Sequence, residues 1–153
     1  MNQQTVAKAE LLRLVDEGWR RFRASVRHLG WAGMGQRTPT GWTYKDLVAH
    51  TAAWEEEAAR RLRAFRDSRD VPDFGGDAAV DAFNARVIEE RRLVGAEAIV
   101  DELDTAHRQL VALIRELPEE LLRDERAQRW VGANTFAHYA EHGDELAAAH
   151  SPR

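Results

Sequence analysis

Three histidines, His50, His138 and His142, are the residues of this chain best suited to chemistry. The last two lie in the run Asn134-Thr-Phe-Ala-His138-Tyr-Ala-Glu-His142. If that run is helical, positions i and i+4 share one face, one turn apart. Two imidazoles held that way can close on a single metal ion. His50 falls much earlier, on a segment that reads as a second helix, so it supplies a third nitrogen only if the fold joins the two helices. Three neutral nitrogens leave coordination positions open, as a reactive metal site requires. The blander alternative stands beside this one. A histidine bordering an apolar face is more often a satisfied boundary residue than a ligand, and one His-x-x-x-His pair can arise by chance.

The residues around these histidines suggest roles of their own. Glu141 adjoins His142 and could orient a ligand or shuttle a proton, and Glu145 is the other carboxylate near enough to act as a base. Tyr139 adjoins His138, and Trp54 lies one turn beyond His50, so either could wall a pocket, although core packing is the commoner use of both. We take Glu141 and Tyr139 as candidate catalytic residues, and Trp54 and Asn84 as candidate substrate contacts. His107 falls within an apolar stripe with no partner at ligand spacing and reads as structural. His28 suits a helix C-terminus, and His150 belongs to the tail.

The elements that must position these residues are helices. Leu12, Val15, Trp19, Phe22, Val26 and Leu29 step by threes and fours, which predicts a helix over 4–28. Gly30 to Gly35 breaks it, and Thr38-Pro-Thr-Gly41 continues the loop. Thr43-Tyr-Lys-Asp46 is close to a capping box and opens a second helix, whose stripe is Leu47, Thr51, Trp54, Ala58, Leu62 and Phe65. His50 borders that stripe. Residues 67–76 read as a surface loop and 77–92 as a shorter helix carrying Phe83, Val87 and Ile88. Val100, Leu103, His107, Leu110, Ile114 and Leu117 mark a further long helix, followed by a turn with one helical turn at Pro118. The last helix is predicted over 131–149, with Phe136, Tyr139 and Leu146 packing inward. Four long helices and a short crossover helix make an all-α four-helix bundle. Bundle cores are where metal sites are built from facing helices.

Composition narrows the chemistry. The 153 residues suit one domain with a real core. There is no cysteine, so disulfides, thiolate metal sites and a protein thiol nucleophile are excluded. Any thiol chemistry must use a thiol carried in by a small molecule. The net charge is −4, without the clustered basic excess of a nucleic-acid footprint, so no nucleic-acid partner is expected. No signal peptide or membrane-spanning run is evident, which leads us to expect a cytoplasmic protein with no membrane partner.

Trp42-Thr-Tyr-Lys-Asp46-Leu-Val-Ala-His50-Thr-Ala-Ala-Trp54-Glu55 resembles the second-helix signature of the DinB/YfiT-like metal-binding superfamily. Phe83-Asn84 is similar to part of one branch's pattern. The run from Asn134 to His142 resembles that branch's C-terminal N-T-x-x-H-Y-x-E-H, the branch of the ClbS/DfsB-like bundles. The resemblance implies an up-down-down-up four-helix bundle holding a divalent ion, commonly zinc or nickel, on His50, His138 and His142. It also implies a small-molecule substrate. The activity implied is a metal-dependent hydrolase or a thiol-dependent S-transferase, using a low-molecular-weight thiol, that acts on a small electrophile. A ClbS-like self-resistance protein that opens a strained ring or sequesters it, and a non-catalytic metal- or ligand-binding bundle, are the alternatives. Members often pair as homodimers.

Overall fold

The computed structural model describes residues 4–149, so His150 lies outside them. Seven helices are present among the described residues: α1 (Lys8–Met34), α2 (Tyr44–Arg66), α3 (Asp77–Glu90), α4 (Ala96–Glu116), α5 (Glu119–Leu122), α6 (Glu125–Asn134) and α7 (Phe136–Ala148). There is no strand among them, only an isolated bridge between Arg37 and Thr43. No helix of the described residues is long and apolar enough to cross a membrane.

Cross-chain contacts fix the direction of each helix. Lys8 at the start of α1 bonds the Leu117 carbonyl just past the end of α4, 2.9 Å away, so α1 and α4 run oppositely. Lys45 at the start of α2 reaches the Val94 carbonyl just ahead of α4 (2.7 Å), so α2 and α4 run together. Val6 pairs with Gln128 (3.0 Å), which sets α6 and α7 parallel to α1. The bundle is therefore up-down-down-up. The long connection through α3 lets α2 and α4 run the same way.

The helix starts follow from capping chemistry. Thr43 accepts the Asp46 N–H (3.1 Å) and Asp46 accepts the Thr43 N–H (2.9 Å), a reciprocal box that opens α2. Asp124 caps α6 by accepting the Arg126 and Ala127 N–H groups. The first helix begins at Lys8 rather than residue 4, because Gln128 brackets the Val6 backbone, accepting its N–H and donating to its carbonyl (2.6 Å). Its regular turns end at Gly30, where φ is 69° and glycine avoids the Cβ clash of the left-handed region. Trp31–Met34 then resume one further turn.

The last helix differs most from the sequence reading, which drew one element over 131–149. Thr135 sits at φ −126°, ψ −103° and splits α6 from α7. Its hydroxyl donates to the Val131 carbonyl (2.6 Å), and the Asn134 amide donates to the Trp130 carbonyl (2.8 Å). Both side chains take up carbonyls of the preceding turn, a competition that bends or breaks helices. The break falls three residues before His138.

Two apolar clusters fill the bundle. One gathers Phe22, Leu47, Ile99, Leu103, Tyr139 and Leu146, and the other Leu11, Val15, Leu62, Leu110, Ile114 and Val131. Each fully buried Leu or Ile contributes roughly 1.5–3 kcal/mol of transfer free energy. Gly18 lets α1 approach α7 closely, since a Cβ there would lie 3.1 Å from the Tyr139 ring.

Candidate metal centre

The antiparallel packing of α2 against α7 brings the three histidines of the sequence reading together. His50 Nε2 lies 2.8 Å from His138 Nε2, and His142 Nε2 lies 2.9 Å from the same atom. One ligand atom from each lies within 4.8 Å of the others, and all three residues are buried.

Outer partners decide which ring nitrogen faces inward. Trp54 Nε1, which can only donate, bonds Asn84 Oδ1 at 2.8 Å. The Asn84 atom facing it is therefore the oxygen. That same oxygen lies 2.9 Å from His50 Nδ1, so Nδ1 carries the proton and Nε2 turns a lone pair to the centre. The Glu145 carboxylate, 3.0 Å from His142 Nδ1, does the same for His142. His138 Nδ1 is buried without a partner.

A neutral His138 brings at most one proton to the centre, and two inward lone pairs already wait for it. The donor count falls short by one. A cation at the centre would satisfy all three nitrogens at once, so the donor set fits a zinc- or nickel-like ion. Electrostatics point the same way. Burial, and then the neighbouring His142, lower the His50 pKa to about 4, against the lesser pull of Asn84. Burial, with His142 and His50, lowers that of His138 to about 2. These two imidazoles are neutral at physiological pH, the form a metal ligand needs.

The three rings floor a cleft of about 370 Å³, walled by Trp42 and Trp54 and edged by Asn84, Asn134 and Glu141. Trp42 is placed by the α1–α2 loop, which Thr38 N–H closes onto the Trp42 carbonyl (2.6 Å), and its ring centroid lies 5.0 Å from that of His50. Trp54 packs on Phe83 (4.5 Å) and Phe74 (5.0 Å), so α3 and the loop before it hold both Trp54 and Asn84. The sequence reading took Asn84 and Trp54 as substrate contacts. Both line the cleft, and their facing polar atoms orient His50. Glu141 lies on the cleft edge, exposed.

Tyr139 is not among the residues lining this cleft. One residue along a helix turns the side chain by about 100°, which aims Tyr139 into the bundle while His138 and His142 face α2. Its hydroxyl donates to Glu55 Oε1. Glu55 has no exposed surface, and its Oε1 also accepts from His107 Nδ1 at 3.0 Å. Trp19 stacks on the His107 ring at 3.7 Å, with the planes 6° apart. Side chains from α1, α2, α4 and α7 thus meet at one polar node. Burial raises the Glu55 pKa against the pull of His107 and Tyr139, and burial together with Glu55 raises that of Tyr139 well above its usual value. The structural reading of His107 acquires a partner here. Glu55 was missed, because a carboxylate beside a bundle stripe reads as surface and its partner lies 52 positions away.

An all-α up-down-down-up bundle with three imidazoles converging beneath an aromatic cleft defines a DinB-like class of protein. Solved structures share this fold. Colibactin self-resistance protein ClbS, solved in complex with double-stranded DNA, superposes with a TM-score of 0.83 at 15% identity, covering 96% of this chain and 97% of that one. The sibling lethal factor precursor DfsB gives 0.80 at 14% identity, over 94% of each chain. Mycothiol-dependent maleylpyruvate isomerase gives 0.74 at 17% identity, over 92% of this chain but 61% of the isomerase. Identities this low establish the fold alone. No curated protein matches the chain. The profile of the mycothiol maleylpyruvate isomerase N-terminal domain matches residues 12–143, and the chain belongs to that family, within the DinB/YfiT-like superfamily.

Proposed function

We propose that His50, His138 and His142 hold one divalent metal ion, zinc or nickel, and that the cleft above it takes a small electrophilic molecule. The observation carrying this reading is the shortage of protons at the three converging Nε2 atoms, two of which are turned inward by Asn84 and Glu145. When bound, such an ion would supply Lewis acidity that lowers the pKa of water or of a thiol. The chain's own residues supply the rest. Asn84 and Glu145 hold two rings in the ligand tautomer, Trp42 and Trp54 exclude water from one side, and Glu141 is placed at the cleft edge to accept a proton. With no cysteine in the chain, a thiol nucleophile would arrive as a low-molecular-weight cofactor, in keeping with the family's mycothiol-dependent relative.

A ClbS-like self-resistance role is the second reading. It is favoured by coverage, since the chain spans 97% of ClbS but 61% of the isomerase. The DNA in the ClbS structure sits awkwardly with the sequence-based expectation of no nucleic-acid partner. This chain's cleft offers no lysine or arginine to a phosphate.

The two readings separate in one assay. Zinc- or nickel-loaded protein is given a panel of small electrophiles, epoxide and activated cyclopropane among them, with and without added thiol. Turnover that needs thiol supports transfer, and thiol-independent ring opening supports the self-resistance reading. Tight binding without turnover would leave a sequestering bundle and contradict both enzymatic readings.

A further inference from the structure

Glu141 is the one carboxylate among the described residues lining the tri-histidine cleft. It is exposed at the edge, with no ion pair or hydrogen bond to any described residue. No lysine or arginine lines the cleft. The Asn134 amide spends one N–H on the Trp130 carbonyl, so it still offers a ligand an N–H as well as its oxygen. Glu141 is thus the one acceptor-only side chain at this edge, beside two indole faces.

We propose that Glu141 is the specificity-determining residue of this cleft. It selects ligands whose pendant groups are uncharged or cationic hydrogen-bond donors, and it excludes those bearing a carboxylate or phosphate. An unpaired carboxylate beside low-dielectric aromatic walls focuses a negative potential into the cleft. Anionic ligands are normally met by arginine or lysine, and none lines this cleft. The inference rests on the cleft being the ligand site proposed above, but the charge filter itself is measurable without metal or substrate.

Two measurements test it. The first uses cobalt-substituted protein, whose visible absorption reports thiol binding, and three thiols of nearly equal size whose para groups cannot reach the ion that holds the sulfur: 4-(aminomethyl)benzenethiol, 4-(hydroxymethyl)benzenethiol and 4-mercaptobenzoate. Wild-type protein is expected to bind 4-mercaptobenzoate about tenfold more weakly than the other two. Glu141→Gln should level the series, and Glu141→Lys should invert it. The second is fluorescence quenching by iodide and by caesium in metal-free protein. Trp31, 59% exposed and outside the cleft, is replaced by Phe throughout. Glu141→Lys is expected to raise iodide quenching and lower caesium quenching through Trp42 and Trp54. Equal affinities for the three thiols in wild type, or iodide quenching that does not differ between wild type and Glu141→Lys, would overturn the proposal. If no thiol binds because no metal is retained, the proposed metal reading fails, and quenching alone decides the filter.

Discussion

In the node of Glu55, His107 and Tyr139, both donors meet one carboxylate oxygen. In the cluster of His50, His138 and His142, acceptors outnumber donors and face one another. Both lie in the same bundle, both are buried, and both contain histidine. The node pairs both donors on Glu55 Oε1 and ties four helices, although Glu55 Oε2 is buried without a partner, whereas the cluster is held from outside by Asn84 and Glu145 and turns lone pairs to its centre. Burial of an unmet polar group costs free energy. The proposed ion would meet all three nitrogens at once. Histidine identity alone does not distinguish structure from site. Whether the converging atoms border an open cleft does.

The sharpest way to break this contrast is to remove one member of each. Glu55→Ala strips the acceptor from two buried donors and should cost roughly 3–5 kcal/mol in urea unfolding of the metal-free protein. His138→Ala relieves the crowding of lone pairs and should cost no more than about 1.5 kcal/mol. Equal losses would erase the distinction.

Metal affinity provides the next test. Asn84→Ala frees the His50 ring and should weaken zinc or nickel binding about 10- to 100-fold by competition titration. Tyr139→Phe, next to a ligand in sequence but pointing into the node, should leave that affinity nearly unchanged and cost about 1 kcal/mol of stability.

Acid should act on the two clusters with opposite signs. The pKa of His50 falls from 6.5 to about 4 on folding, so between those values the unfolded chain holds a proton that the folded one lacks. Stability of the metal-free protein is then lost as pH falls through that window, by roughly 1.4 kcal/mol per pH unit for each such group. His138, lowered to about 2, adds to the same trend. Glu55 runs the other way, because its raised pKa contributes stability that is lost as pH rises above the ordinary 4.5. Unfolding midpoints between pH 4.5 and 7 should therefore rise more steeply in Glu55→Gln than in wild type. The smallest effect is expected from Trp54→Phe, which keeps the ring but removes the donor on Asn84 Oδ1. Metal affinity should fall only about threefold, and no change at all would take Trp54 out of the outer support.

Much of this was legible in the sequence because it is local. The stripes of α1, α2 and α4 follow from helical period, the Thr43–Asp46 box from its spacing, and the shared face of His138 and His142 from one helical turn. Two elements hid behind side chains that compete with the backbone. Thr135 and Asn134 look helix-compatible in a string of letters, yet their bonds to Val131 and Trp130 end α6. Asp124, which caps the start of α6, lay outside the expected helix. Glu55 and the orienting role of Asn84 depend on partners 52 and 34 positions away, a distance over which periodicity carries no information.

The central claim is that the three converging histidines form a metal site. Plasma mass spectrometry of tag-free protein, beside His138→Ala, tests it most directly. The account predicts close to one zinc or nickel per chain in wild type and its loss in the variant. Wild-type protein that holds no metal, even after exposure to zinc and nickel, would contradict it.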